Sequence, residues 1–266
     1  MSVRAISYGG GVQSTALCLL AIEGAIDYPL AIFANVGDRA ENPATLDYLR
    51  SFIPWAAARG LEIVHRRWVD RLGRERDLYD DTVRADLKDV PIPAYMAGGA
   101  PGNRKCTDRY KIAVVGRDLR KRGACKANPA VVAVGISTDE HHRINKRHAQ
   151  PWETPTYPLI DLNMSRGDCE TLIRSHGLPV PPKSSCWFCP FRGAARWMHD
   201  RDHEPERFAA GVALEVAINV KRAAMGRDAV TLTPRYLLSE LPAWVDLPEQ
   251  LEMFNEGACD EGYCWT

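Results

Sequence analysis

The stretch Ser7-Tyr8-Gly9-Gly10-Gly11-Val12-Gln13-Ser14-Thr15 follows directly on an apolar run over residues 3–6. An apolar, β-branched run, then three glycines, then hydroxyl residues opening an apolar stretch reads as strand, tight loop and helix N-terminus. That geometry points several backbone N–H groups and the positive end of a helix at one spot, a ready-made phosphate site. Glycine suits such a loop because the absence of a Cβ permits positive φ and close approach of the backbone to an anion. Two better-known phosphate loops are excluded. Gln13 stands where a Walker-type loop needs its lysine, and Ser14 and Thr15 stand where the dinucleotide fingerprint needs its last glycine.

Working outward, residues 14–23 carry Leu17, Leu20 and Ala21 on one helical stripe. Residues 30–34 form a second apolar strand, ending at Asn35-Val36-Gly37-Asp38. Pro43 opens a helix to about residue 59, and residues 62–68 alternate as a third strand. Residues 107–122 read as helix and 131–134 as a buried strand ending at Gly135. Ser165-Arg166-Gly167-Asp168 resembles a capping box opening a helix that Gly177 ends, and Pro205 opens another to about residue 225. The alternation predicts an α/β fold, a doubly wound (Rossmann-like) parallel sheet with helices on both faces. Residues 1–192 are expected to form the core, including Cys186-x-x-Cys189, and residues 193–266 a helical C-terminal extension with a cysteine-containing tail. Ligands of such sheets bind beyond the carboxyl ends of the strands, where residues 9–14 and 35–38 both fall. Between residues 70 and 105 the periodicity fades under Pro91, Pro93, Gly98, Gly99, Pro101 and Gly102. An irregular segment of that length is uncommon unless it serves a site.

The chain has 266 residues, enough for a full α/β core, and a formal net charge of zero, so it has no global electrostatic footprint for nucleic acid. Charge is unevenly spread: residues 104–126 are strongly basic, and residues 239–266 carry acids without Lys or Arg. The basic stretch reads either as a solvated helix face or as a polyanion-binding surface. No apolar run approaches the length of a membrane span, and no secretory leader is visible. Eight cysteines in such a chain argue for buried thiols, metal ligation or redox chemistry rather than a disulfide framework. A cytoplasmic protein with no membrane partner is expected.

Cys186-Trp187-Phe188-Cys189-Pro190 is the second informative motif. Thiols three positions apart can grip a metal or a cluster edge, form a redox disulfide, or pack as small hydrophobes. Zinc would need two more ligands, and an iron–sulfur cluster needs cysteines from elsewhere. Cys106 is the best supplier. It lies between Asn103-Arg104-Lys105 and Thr107-Asp108-Arg109, where flanking cations and a helix start favour the thiolate. Trp187 and Phe188 are expected to pack on the core or shield a cluster. His141 and His142 sit in a turn, where they either meet phosphates or are simply exposed. His199 and His203 lack the intervening glutamate of a zincin pair and read as solvated surface.

Gly10, Gly11 and Ser14 match the pyrophosphatase loop, usually Ser-Gly-Gly-x-Asp-Ser, of the adenine-nucleotide α-hydrolase superfamily, with Gly9 and Gln13 replacing its first serine and its aspartate. Cys106 followed by Cys186 and Cys189 resembles the iron–sulfur branch of the phosphoadenylyl-sulfate (PAPS) reductase family within that superfamily. Further resemblances follow in the same order: Asn35-Val36-Gly37 with Glu41 and Pro43, then residues 135–143, Tyr157-Pro158-Leu159-Ile160-Asp161, and Leu178-Pro179-Val180-Pro181.

The resemblance implies that Gly9, Gly10, Gly11, Gln13, Ser14 and Thr15 hold phosphates, with Ser14 in a catalytic position. It implies that the main chain near Phe33 and Asn35, with Gly37, holds adenine, and that Gly135, Glu140 and Arg143 complete the nucleotide site. Mg2+ would offset charge on departing pyrophosphate. Cys106, Cys186 and Cys189 would ligate a [4Fe–4S] cluster, with Zn2+ as the alternative. The reductases have paired cysteines where this chain has Cys106 alone, and three ligands resemble ATP-dependent tRNA thiolases of the superfamily.

The first expectation is therefore an ATP pyrophosphatase-type enzyme that adenylates an acceptor, a nucleic acid among the candidates, for thiolation by a sulfur donor. The second is a sulfonucleotide reductase acting on an adenylyl sulfate, with Cys259 or Cys264 as tail nucleophile and a thiol reductant protein as partner. The third is a non-catalytic nucleotide- or redox-sensing module.

Overall fold

Apolar β-branched segments alternate with amphipathic ones through the first half of the chain, and each becomes one layer of a sandwich. In the computed structural model, which describes residues 2–146 and 150–242, the strands are β1 (Arg4–Tyr8), β2 (Leu30–Asn35), β3 (Glu62–Arg67), β4 (Ala130–Val134) and β5 (Glu153–Thr156). All pair in parallel, in the order β3-β2-β1-β4-β5. The expected α/β parallel sheet is thus present. Cys259 and Cys264 lie outside the described residues.

Side chains along the central strands alternate between two cores, as the two-residue period of a strand requires. Ile6, Tyr8, Ala31, Phe33 and Ala133 face one cluster, shared with α1 (Val12–Ile22), α2 (Pro43–Ala57) and α6 (Arg166–Ser175). Ala5, Leu30, Ile32, Ala34, Val132 and Val134 face the other, shared with α4 (Ala113–Lys121). Local signals set the helix starts. Asn42 caps α2, its side chain accepting from the Ala44 N–H ahead of Pro43 at the first turn, and Ser165 and Asp168 form the expected capping box of α6.

The structure departs from the sequence expectations in three places. β5 carries Pro155 and gives no apolar alternation, which an edge strand tolerates. The irregular segment holds a short helix, α3 (Leu78–Val83), capped by Asp77. Residues Thr107–Ile112, read as ordinary helix, are wound as a π-helix immediately after Cys106. Such wide turns are rare and collect at functional sites.

A third hydrophobic cluster joins the irregular segment to the residues after 192. Val36, Leu78 and Tyr110 pack with Phe188, with Trp197 of α7 (Ala194–His203) and with Leu214 and Ile218 of α8 (Pro205–Ala224). The single-turn helix α5 (Pro158–Asp161) precedes α6. No helix among the described residues is long and apolar enough to cross a membrane.

In this cluster Gly211 of α8 lies against the fully buried Trp197, and a Cβ there would stand 2.6 Å from the indole. Gly211→Ala is expected to destabilise the chain by about 1–3 kcal/mol through overpacking, despite alanine's higher helix propensity. Urea unfolding of the purified variant measures it.

Candidate nucleotide and cysteine site

Three features meet at the carboxyl edge of β1 and β2. The first is the glycine loop. Gly10 has φ +74°, and a Cβ there would crowd Thr45 at 3.0 Å, so this glycine holds the turn against α2. Gly11 has an ordinary extended conformation, and its missing side chain instead leaves room for the Ser184 hydroxyl, 2.8 Å from where a Cβ would be. The Ser14 hydroxyl accepts from the Gly9 N–H at 3.2 Å and donates to the Gly11 carbonyl at 3.1 Å, bracing the loop from inside. Thr15 is fully buried, its hydroxyl 3.4 Å from that of Tyr8.

The second feature stands at the switch point between β1 and β4, where the sheet order reverses. Gly135 presses on the start of α1: a Cβ there would stand 2.9 Å from the Ser14 nitrogen. The Gln13 side-chain amide donates to Glu140 Oε1 at 3.1 Å, Arg143 pairs with the other Glu140 oxygen, and Arg166 reaches Gln13 Oε1 at 3.5 Å. Gln13, Glu140 and Arg143 are all buried. Gln13 thus meets a carboxylate brought from a different segment. Arg166 has no counterpart in the sequence expectations. Only its place at the first turn of α6, after the capping serine, could have signalled it.

The third feature is the turn after β2. The β1 ladder stops at the pair Tyr8 and Phe33 while β3 continues to Asn35, so beyond Phe33 the β1 side of β2 runs past the glycine loop with no strand beside it. The Phe33 ring itself packs under the loop, against Tyr8 and His65. Asn35 is fully buried and closes the turn, its Oδ1 accepting from the Gly37 N–H at 2.7 Å and its Nδ2 donating to Asp38 at 2.9 Å. The Arg67 guanidinium paired with Asp38 holds that carboxyl below the usual range. Gly37 has φ +126°, and any Cβ there would collide with the Asp77 carboxylate, which accepts from the Arg39 and Tyr79 N–H groups.

Residues 183–187 run across these features and carry the cysteines to them. The Lys183 carbonyl accepts from Asn42, Ser184 faces Gly11, and Trp187 donates through its backbone to Ala40 and through its indole to Arg39. Trp187 and Phe188 pack on Tyr79, so the packing expectation for this pair holds. Cys186 and Cys189 close a tight turn, Cys189 N–H to Cys186 O at 3.1 Å. Cys106, whose N–H donates to Pro91 O at 2.7 Å, packs on the same cluster as Cys186. Arg104, two residues before Cys106, lies 4.8 Å over the ring of Phe191, two residues after Cys189. Cys189 packs against that ring and Tyr95.

Cys106, Cys186 and Cys189 are all partly exposed. Partly exposed thiols are soft donors of the kind that an iron–sulfur cluster or zinc takes. Among the described residues, the group gathered tightly enough for a single ion is instead His199, Asp200 and Glu204, within 4.8 Å of one another. Arg192 and Arg207 already neutralise its two carboxylates. His199 and His203 do share α7, stacked at 4.4 Å.

Much of the basic stretch is engaged internally. Lys105 and Arg109 share Asp89, Arg117 caps the Val69 carbonyl, and Arg122 bridges Asp118 and Glu62. No family model matches the chain, and no curated protein matches it.

Glu41, only 4% exposed, is held by the Asn42 and Val36 N–H groups with Lys111 nearby, and burial raises its carboxyl above the ordinary 4.5. A raised carboxyl favours folding while protonated; that contribution is full below the ordinary value and is lost as pH rises through the raised one. The stability advantage of Glu41→Gln over wild type should therefore grow from acid to neutral pH. Parallel urea titrations across that range check the sign.

Proposed function

We propose that the chain is an ATP pyrophosphatase-type enzyme of sulfur transfer, related to the PAPS reductase-like proteins of the adenine-nucleotide α-hydrolase superfamily. The observation that carries this reading is the course of residues 183–187. They pack Ser184 on Gly11 and Trp187 on Arg39 and Ala40, so one segment spans from the glycine loop to Cys186.

In this reading the backbone of Gly10 and Gly11 and the start of α1 receive the phosphates of ATP, while the Gly9 N–H, held by the Ser14 hydroxyl, keeps the loop in shape. The unpaired side of β2 beyond Phe33 offers main-chain groups to adenine, and Arg143 and Arg166 lie on the other flank. An oxygen of the acceptor attacks the α-phosphorus, the bond to the bridging oxygen breaks, and pyrophosphate leaves. Fixed N–H donors and the cations stabilise the charge that develops there. Glu140 is the neighbouring carboxylate, with both oxygens engaged by Gln13 and Arg143; Mg2+, when bound, would offset charge on the pyrophosphate. Cys106, Cys186 and Cys189 would hold a [4Fe–4S] cluster, which when bound supplies a place for the sulfur to be transferred. The chain's own part is to keep those thiols beside the nucleotide edge, half-shielded by Trp187, Phe188 and Phe191.

Gly11→Val is backbone-compatible, since Gly11 has no left-handed φ, but it fills the space between Ser184 and the loop. It is expected to abolish ATP binding by calorimetry, and with it pyrophosphate release, while the far-ultraviolet circular dichroism stays native. ATP affinity equal to wild type would remove the nucleotide reading.

Separate Ser substitutions of Cys106, Cys186 and Cys189 are expected each to bleach visible thiolate–iron absorption in anaerobically purified protein, with iron and sulfide falling together. Stoichiometric zinc without iron would eliminate the cluster. Sulfite release from an adenylyl sulfate that depends on Cys259 or Cys264 would assign the reductase instead.

A further inference from the structure

Lys221 and Arg222 stand side by side in the last turn of α8, and both are buried, at 5% and 8% exposure. Their partners among the described residues are neutral. Lys221 Nζ donates to the carbonyls of Asp89 at 2.8 Å and Thr82 at 3.3 Å. Arg222 Nε donates to the Asp228 carbonyl at 2.6 Å, and its Nη2 reaches only the Met96 sulfur, at 3.8 Å. A thioether is a weak acceptor. A buried guanidinium is costly unless an opposite charge compensates it, and the carbonyl end of a helix supplies only part of that compensation.

Arg222 opens onto a cavity of about 140 Å3, lined also by Asp89, Met96, Asn103, Lys105 and Arg227. Among the described residues its one lining carboxylate, Asp89, is already shared by Lys105 at 3.1 Å and Arg109 at 3.2 Å. The described lining is therefore net positive, with the Arg222 guanidinium and Asn103 both part of it. It is well below the roughly 300–1,000 Å3 of pockets that enclose whole organic ligands, so it suits a single compact anion. Lys105 immediately precedes Cys106, which puts the cavity on the same irregular segment as the cysteine set.

We propose that this cavity binds one phosphate group, with Arg222 as its buried anchor and Lys105 and Arg227 at the rim. Phosphate is the compact oxyanion whose several oxygens match a planar guanidinium fork. The pocket shares no lining residue with the glycine loop, and its ligand is independent of the nucleotide that the loop takes.

The test is calorimetric titration at constant ionic strength in chloride, first with inorganic phosphate and then with a short oligonucleotide lacking terminal phosphates. Both wild type and Gly11→Val are titrated, the latter to remove any contribution from the glycine loop. Binding of at least one probe is expected in both proteins, and Arg222→Met should weaken it by roughly tenfold or more, the loss of a charge-assisted pair. Should Arg222→Met fail to fold, the Lys105→Ala/Arg227→Ala double variant carries the test, with a comparable loss expected. Binding of the oligonucleotide assigns the pocket to a nucleic-acid backbone; binding of inorganic phosphate alone assigns it to free phosphate or a monoester. Folded wild type that binds neither probe, or variants that bind as wild type does, would overturn the proposal.

Discussion

The close approach of Gly135 to the first turn of α1 is the contact on which the site depends. β4 ends with its backbone so near the Gln13–Ser14 peptide that a Cβ would stand 2.9 Å from one nitrogen and 3.2 Å from the Gln13 carbonyl carbon. Because β4 pairs on the opposite side of β1 from β2, the chain leaving β4 must diverge from the chain leaving β2. The crevice opens between them, over the glycine loop, as it does at the switch point of other open parallel sheets. Were Gly135 larger, β4 or α1 would have to shift, and Glu140 could no longer reach Gln13.

That reach explains the loop's departures from the pattern it resembles. An aspartate at position 13 would set a second carboxylate against Glu140 in a buried corner, where like charges repel strongly. Glutamine presents an amide N–H to the same oxygen and leaves its own oxygen for Arg166. Gln13 and Glu140 are therefore a matched pair. Glu140 in turn needs Arg143, because a buried carboxylate bonded only to an amide would be poorly compensated. The network fixes the geometry of the corner more than it stabilises the fold, since buried ion pairs gain little over apolar packing.

The sheet and its crevice were legible because β1, β2 and β4 are apolar runs whose ends coincide with glycine or Asn-x-Gly turns. β5 was not, because Glu153-Thr154-Pro155-Thr156 offers neither alternation nor a hydrophobic face. The π-helix escaped because six residues are too few for its period to separate from that of an α-helix. The cysteine set and the loop were visible as motifs, yet what joins them was not. Lys183 and Ser184 lie in a proline-rich linker whose composition reads as mere connection, and only the fold reveals Ser184 against Gly11. In the same way, nothing in the run of cations from Arg104 onward tells which ones Asp89, Glu62 and Asp118 consume.

Solvent, more than motif, sorts the described cysteines, of which Cys125 is exposed. Cys18 and Cys169 are fully buried, and burial drives both thiols upward, Cys169 to about 12, so they remain protonated and act as small hydrophobes. Cys106, Cys186 and Cys189 keep partial exposure. A straight helix could not bring Cys106 there, because its N–H must meet Pro91 while Arg104 reaches across to Phe191. The irregular run of prolines and glycines before it makes that path possible. Asp81 then anchors the path from below, bonded at once to Arg76 and to Tyr110 of the π-helix. The irregularity of residues 70–105 in the sequence is thus what lets Cys106 reach the cluster on which Cys186 also packs.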